Sequence, residues 1–465
     1  MDPRGPWLSR RAALGAALAA GALAATRSWA AESEVDVVIV GAGAAGIGAA
    51  LGLHGQGLTY KLIEAESRIG GRAFTDAGTF DIPFDIGCAW IHRALPDNPM
   101  LRWAQKLGFE TRFHDLGLNH LYYGPKNYDP AIDQAEVDAR ALHGAIERAA
   151  AGGEDVPASS LVGDWAVPMD AAVLETGQMD AAVDLYAASA LELGTMPDYD
   201  PNRLVRRGYG ALVAAVAQAL RVPANTLTSR PVTRIAYEGE RVAVETADGL
   251  VTRARAVIVT VSMGVLRAGA IKFEPGLPAS HEAAIHGLQM GLLAKIPLLV
   301  RGLRGLAGPI KPYDNILDEE PRPNVMTQFG LKDIYFLAWP WESDLMVGFV
   351  GGDFAWDLSL RHDAQREAVA FATERLADLF GSGAPGKVEK GLLTPWATNP
   401  FQRGAYSAAL PGQYHCRELL RAPVDEKLFF AGEAAAVGGM QATCSGAYLS
   451  GLSVADEVAR TLLPA

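Results

Sequence analysis

The chain has 465 residues, 49% hydrophobic and 20% charged, which is enough for two or three domains at roughly 100–200 residues each and excludes disorder as the default. A formal charge of −12, from 41 Lys and Arg against 53 Asp and Glu, excludes the basic footprint of a nucleic-acid binder and favours the approach of small cations. Three widely spaced cysteines give neither a disulfide framework nor a zinc pattern, and no other metal constellation is visible.

Residues 1–30 read as an address. Arg4, Arg10, Arg11 and Arg27 face a single acid, Asp2, and the run from Ala12 to Ala25 is apolar and rich in alanine. That run is shorter than the about 20 residues a bilayer span needs. With Ser28-Trp29-Ala30 as a small-residue exit it reads as a cleaved signal peptide. The adjacent Arg10 and Arg11 predict export by the twin-arginine translocase to the periplasm or beyond, with no stable membrane span after cleavage.

Val35 to Val40 is a buried-strand pattern, followed at once by Gly41-Ala42-Gly43-Ala44-Ala45-Gly46 and a helical run from Ile47 to His54. Gly41 suits a tight turn, Gly43 admits a pyrophosphate to the backbone, and Gly46 lets helix and strand pack closely. The helix's positive end then faces the phosphates. A second strand, Tyr60 to Ile63, ends in Glu64, 18 residues past Gly46, where a carboxylate can accept ribose hydroxyls. This unit alone serves NAD or FAD equally. Arg68-Ile69-Gly70-Gly71-Arg72 follows, with two glycines for close approach and two guanidinium forks for phosphate.

From Val35 to Arg72 the chain resembles the opening of the flavin-containing amine oxidases, the family of monoamine and polyamine oxidases. The resemblance implies FAD, held by Gly41, Gly43, Ala45, Gly46, Glu64, Gly71 and by Arg72 at the pyrophosphate. Asp85-Ile86-Gly87-Cys88-Ala89-Trp90-Ile91-His92 resembles the strip that passes under the flavin. There Gly87, Ala89 and Trp90 would meet the cofactor and His92 the substrate amine. Val232 matches the backbone contact to the adenine end. Ala256 to Leu266 resembles the strand leaving the cofactor domain, with Ser262 in place of a proline, so a looser exit is expected.

Leu288 to Ile296 resembles the family segment carrying a buried lysine, here Lys295, which implies a catalytic role beside flavin N5 through a held water. Burial of that ammonium requires hydrogen bonds or a lowered pKa. Trp396 and Tyr406 match aromatic walls over the flavin. The wall opposite Tyr406 falls at Thr443, so a full two-sided cage is not expected. Ala405 stands where some monoamine oxidases carry the cysteine that tethers FAD, so FAD is expected to be non-covalent. Leu428 to Glu433 ends in Gly432-Glu433 near the ribityl–pyrophosphate region. The helix beginning near Thr443 and Cys444 would aim N–H groups at the flavin C2 carbonyl and stabilise negative charge there. Glu192 is expected on a solvated helix face rather than as an anionic substrate contact, and Cys416 as a buried small hydrophobe.

The expected fold is α/β: a Rossmann-like FAD-binding domain from 31–95, 205–265 and 395–465, with an α+β substrate-binding domain from 96–204 and 266–394. The expected activity is oxidation of a primary or secondary amine, with polyamines among the candidates. Hydride transfer to flavin N5 would leave an imine that hydrolyses, and O2 would be reduced to H2O2. Three alternatives stay open. An L-amino-acid oxidase needs a cation for the carboxylate, for which Arg93 is a weak substitute. A flavin desaturase or dehydrogenase would use another acceptor. The third is a non-catalytic flavin-binding protein.

Overall fold

The computed structural model describes residues 33–114, 116, 120–123, 125–127, 129–163, 171–303, 324–326, 334–436 and 438–463. The expected signal peptide lies outside these residues.

The run Ser33–Val40 is rich in valine, and its side chains alternate between two cores. Val37 and Ile39 pack on one side, Val38 and Val40 on the other, all almost fully buried. A strand covered on both faces is the pattern of a parallel sheet. Ser33–Val40 accordingly pairs in parallel with Tyr60–Ile63 on one side and Val251–Val259 on the other. The full sheet has eight strands. Its order runs Thr226–Leu227, Tyr60–Ile63, Ser33–Val40, Val251–Val259, Val242–Thr246, Val232–Ala236 and Lys272–Glu274, with Leu428–Phe430 alongside the end of Val251–Val259. Strands from three distant stretches of sequence thus meet at Val251–Val259.

Helix Ala44–Gly55 leaves the first strand through the glycine turn and starts earlier than the expected Ile47. It crosses helix Cys444–Leu462 at close range. A Cβ on Gly48 would come within 2.2 Å of the Tyr448 carbonyl oxygen, and one on Gly451 within 2.0 Å of the Ala45 oxygen. Small residues at the crossing bring both helices over the same face of the sheet, with both N-termini turned to one cavity.

A second, seven-stranded sheet is built around Leu293–Leu299 and its antiparallel neighbour Leu345–Gly351. Its core holds Ile296, Leu298, Phe336, Val347 and Val350 and is covered by helix Ala364–Phe380. The cavity described below lies between the two sheets. It is closed by the Trp90–Ile91 strand, by the Leu288–Gly291 and Tyr406–Ala409 pair, and by the π-helical turn Leu174–Ala181.

Ser262 does not loosen the chain exit. It caps helix Met263–Arg267 by accepting from Val265 N, and its buried hydroxyl donates to the Gln402 carbonyl at 2.6 Å. A hydroxyl does here with two hydrogen bonds what a proline would do by fixing φ. Glu192 is likewise not on a solvated face. It is buried, ion-paired with Arg417, and accepts from the Ala409 N–H. Cys416 is fully buried, as its small apolar character predicts.

Candidate active site

A cavity of about 470 Å³ runs from Glu64 and Val232 past the glycine turn to Lys295 and Tyr406. At its first end Glu64 is buried, which pushes its pKa up, and its two oxygens accept from Ala42 N at 2.7 Å and Glu66 N at 2.8 Å. The carboxylate therefore braces the glycine turn, and its remaining lone pairs face the cavity that Glu64 lines. Val232 lines the same end.

Gly41, at φ 107°, makes the turn against Thr260, whose hydroxyl donates to the Gly41 carbonyl at 3.1 Å and leaves no room for a Cβ. Gly43, Ala44 and Ala45 line the cavity; Gly43 has open space where a Cβ would project. Gly46 does not line it. A Cβ there would strike the Gly41 oxygen at 2.0 Å, so this glycine serves helix–strand packing. The Ala44–Gly55 helix has no side-chain cap and no acid in its first turn, so its leading N–H groups remain available to an anion. Gly70 and Gly71 close over Gly43 from the other side.

Arg72 donates to the Ala405 carbonyl at 2.7 Å and pairs with Glu433 at 3.0 Å. Glu433 also accepts from Ser407 N and Oγ, and Arg417 donates to that same Oγ and to Glu192. Arg72, Glu433, Arg417 and Glu192 thus form one chain of alternating charge, buried except at Arg72. Arg72 and Arg417 hold the Glu433 pKa down despite its burial. Gly432, Glu433, Ala405 and Arg72 all line the cavity.

At the far end Lys295 projects from the second sheet. Its Nζ donates to the carbonyls of Asp85 at 2.8 Å and Gly87 at 2.5 Å, among the rings of Phe84, Trp90 and Phe349. Burial lowers its pKa to about 8, opposed by the nearby Asp85 carboxylate. An ammonium has three donors, so one N–H remains for the cavity. The lysine also fixes the strip Gly87, Ala89 and Trp90, all of which line the cavity. A Cβ on Gly87 would collide with the Arg72 oxygen.

Trp396 is buried against this strip and donates from its indole to the Ile86 carbonyl at 3.0 Å. Tyr406 lines the cavity with its hydroxyl bonded to the Met179 carbonyl at 2.8 Å, and burial drives its pKa well up. Thr443 and Cys444 stand at the start of helix Cys444–Leu462 and line the cavity. The Thr443 hydroxyl is committed to the cap: it accepts from Gly446 N and donates to the Met440 carbonyl. As a wall opposite Tyr406, Thr443 therefore offers little beyond its methyl group. His92 lines the same end. Its Nδ1 must donate to Asn202 Oδ1 at 2.7 Å, because that oxygen only accepts, and burial lowers its pKa.

Sequence reasoning missed Glu175, Asp180, Tyr199, Tyr335 and Phe349, which also line this end. The first three fall in a stretch with no motif and no clear period; the aromatics sit in strands that read as plain core. Arg93, considered as a carboxylate clamp, pairs with Asp97 and is not among the lining residues. Among the described residues no group of His, Cys, Asp or Glu could hold a metal, and no helix is long and apolar enough to cross a membrane.

The cavity fits a flavin dinucleotide. It is long, with an uncapped helix start and a Gly-lined approach in its middle, a carboxylate at one end and an aromatic chamber at the other.

Residues 44–158 and 183–459 match the model of the flavin containing amine oxidoreductase family. The chain is 28% identical to polyamine oxidase 4 of Oryza sativa subsp. japonica, across 93% of this chain and 90% of that protein. It is 26% identical to lysine-specific histone demethylase 1B of Mus musculus, across 91% of this chain and 53% of that longer protein. Among solved structures it shares its fold with a putrescine oxidase bound to putrescine, at TM-score 0.74 and 21% identity over 92% of this chain and 99% of the other. Cyclohexylamine oxidase from Brevibacterium oxydans IH-35A gives TM-score 0.73 at 21% identity with the same coverage.

Proposed function

Because the chain belongs to the flavin containing amine oxidoreductase family and is an FAD enzyme, we propose that it oxidises a primary or secondary amine in the chamber between Lys295 and Tyr406. FAD held in the cavity would supply two-electron oxidation of the amine at its α-carbon; the resulting imine would take up water to give a carbonyl and release ammonia or a smaller amine, with O2 as the final acceptor giving H2O2. The residues supply position and charge. Glu64, the glycine turn and the Ala44–Gly55 helix start hold the dinucleotide end. Arg72 and Glu433 hold its middle. The Cys444–Leu462 helix start opens on the cavity and would favour negative charge on a flavin ring held there.

Lys295 holds the strip 85–87, on which the flavin would rest, and keeps one N–H for a water. Neutral His92 keeps its second nitrogen as an acceptor, able to take a hydrogen bond from an arriving amine or ammonium N–H. Tyr406, Trp396 and Phe349 give the reacting end aromatic walls. FAD is held without a covalent bond, since Ala405 at the cavity wall has no nucleophile.

The single observation that carries this reading is Lys295, buried in an aromatic wall and tied to the strip 85–87 in the same cavity as the glycine turn. The test is anaerobic addition of monoamines, diamines and polyamines to the yellow protein. Bleaching of the visible flavin band by at least one amine is expected; no bleaching by any of them supports the non-catalytic alternative. Stoichiometric peroxide in air separates an oxidase from a dehydrogenase using another acceptor. An L-amino-acid oxidase is disfavoured because Arg93 is engaged with Asp97 and acids, not arginines, line the Tyr199 side of the chamber.

Export through the twin-arginine route is part of the same proposal. Replacing Arg10 and Arg11 with Lys should retain the protein in the cytoplasm; unchanged recovery outside it would end that part.

A further inference from the structure

We propose that Cys444 and Cys88 form an oxidation site in the wall of the cofactor cavity: Cys444 takes an oxygen from hydrogen peroxide, and Cys88 then closes a disulfide with it. The supply of peroxide inside the protein rests on the amine-oxidising reading above; the pair itself does not. Both cysteines are unbridged and half-buried, and both line the cavity that runs to Lys295 and Tyr406. They come from distant parts of the chain. Cys88 lies beside the carbonyls that Lys295 ties down, and its N–H donates to the Arg72 carbonyl at 3.2 Å. Cys444 is the first residue of helix Cys444–Leu462, directly after the Thr443 cap. The tertiary fold brings the two thiols into hydrogen-bonding contact.

The surroundings make the two sulfurs unequal. The hydrogen bond from Cys88 holds the Cys444 pKa down against burial, helped by a hydrogen bond from Tyr209 and by the charge of Arg72. The start of a long helix adds its positive end at the same sulfur. The same contact, together with burial, pushes the Cys88 pKa well up. Cys444 is therefore the thiolate that attacks and Cys88 the thiol that resolves. The Cys444 thiolate forms an S–O bond with one peroxide oxygen as the O–O bond breaks, and the departing hydroxide takes a proton and leaves as water. The Cys88 sulfur then displaces the hydroxyl from Cys444. An S–S bond forms, the S–O bond breaks, and the Cys88 proton leaves with that hydroxide as a second water. The two sulfurs together lose two electrons, and one peroxide is reduced to two waters. Cys416 is the contrast within the same chain. It is fully buried, is not among the lining residues, and burial raises its pKa.

The test adds hydrogen peroxide to the resting holoenzyme, so that no turnover is needed. Thiols counted after unfolding are expected to fall from three to one, and dithiothreitol to restore them. A peptide map is expected to link Cys88 to Cys444 and to leave Cys416 free. In Cys88→Ser the resolving thiol is gone, so dimedone is expected to trap a sulfenic acid at Cys444. In Cys444→Ser the oxidation of Cys88 is expected to be slower by roughly tenfold or more, because a protonated thiol is a poor nucleophile. Three thiols that persist, a linkage through Cys416, or dimedone capture at Cys444 as complete in the wild type as in Cys88→Ser overturns the pair. Oxidation of Cys88 in Cys444→Ser at the wild-type rate overturns the assignment of Cys444 as the attacking sulfur. The wild-type thiol count and map decide the matter even where a variant fails to hold FAD. A protein that forms the linkage with added peroxide yet is bleached by no amine keeps the pair and loses the amine-oxidation reading. One that is bleached by an amine and keeps three thiols does the reverse.

Discussion

Lys295 is the residue on which the proposed chemistry turns. Its ammonium is held by two backbone carbonyls, and burial draws its pKa from 10.5 to about 8. Lys295→Met removes the third donor from the chamber and is expected to slow flavin reduction or reoxidation at least tenfold, about 1.4 kcal/mol in barrier. Stopped-flow rates of both half-reactions check this; two unchanged rates would place the lysine outside the chemistry. The same shift has a thermodynamic sign. Between about 8 and 10.5 the unfolded chain holds a proton that the folded chain has shed, so this group's contribution to stability rises with pH across that window. Unfolding midpoints of wild type relative to Lys295→Met should therefore increase from pH 8 to pH 10. His92 has a lowered pKa and a neutral ring tied to Asn202. Replacing it with Ala should alter the pH profile of amine turnover, and an identical profile would remove it from proton handling. The identity of these two residues is readable in sequence from the runs around them. Their electrostatics are not, because burial and the carbonyls of Asp85 and Gly87 are contributed by segments far away in the chain.

Elements carry the next layer. The Val35–Val40 strand, the glycine turn, the following helix and Glu64 form one continuous local unit, so the sequence predicts them closely. The Glu192 error has the opposite origin. Its helix, Ala190–Thr195, is short, and the tertiary fold lays it against helix Ile132–Ala151 and turns Glu192 toward the Ala409 N–H and Arg417. Glu192→Gln leaves the Arg417 charge buried without its counterion, a change that costs about 3–5 kcal/mol in comparable buried pairs. A large fall in the urea midpoint, with loss of flavin, is expected. A midpoint within experimental error of wild type would show that the network through Ser407 and Glu433 does not depend on this pair. Ser262 belongs to the same class: a local rule pointed to a loose exit, and a long-range bond to Gln402 closed it.

At the scale of the whole molecule, the cavity belongs to no single element. The eight-stranded sheet supplies its phosphate side, the seven-stranded sheet supplies Lys295 and Phe349, and the turn Leu174–Ala181 supplies the acids. FAD bridging all of these should stabilise the fold by about 2.7 kcal/mol at a hundredfold excess over its Kd. Removal of the cofactor is expected to lower Tm, and re-addition to restore it; a Tm indifferent to FAD would mean that the cavity does not depend on its occupant. What the sequence by itself determined is the set of short-range devices: the strand–turn–helix, the acid after the second strand, the aromatic strip and the lysine run. The first two are contiguous, so their physics is contained in their own residues; the strip and the lysine run are marked by family resemblance, because the contacts that set their chemistry are long-range. Only the tertiary structure decided which charges are paired, which hydroxyls are spent on caps, and that Asp180 faces the reacting chamber. Those depend on partners hundreds of residues apart, and burial, which sets their energies, exists only once the two sheets close on each other.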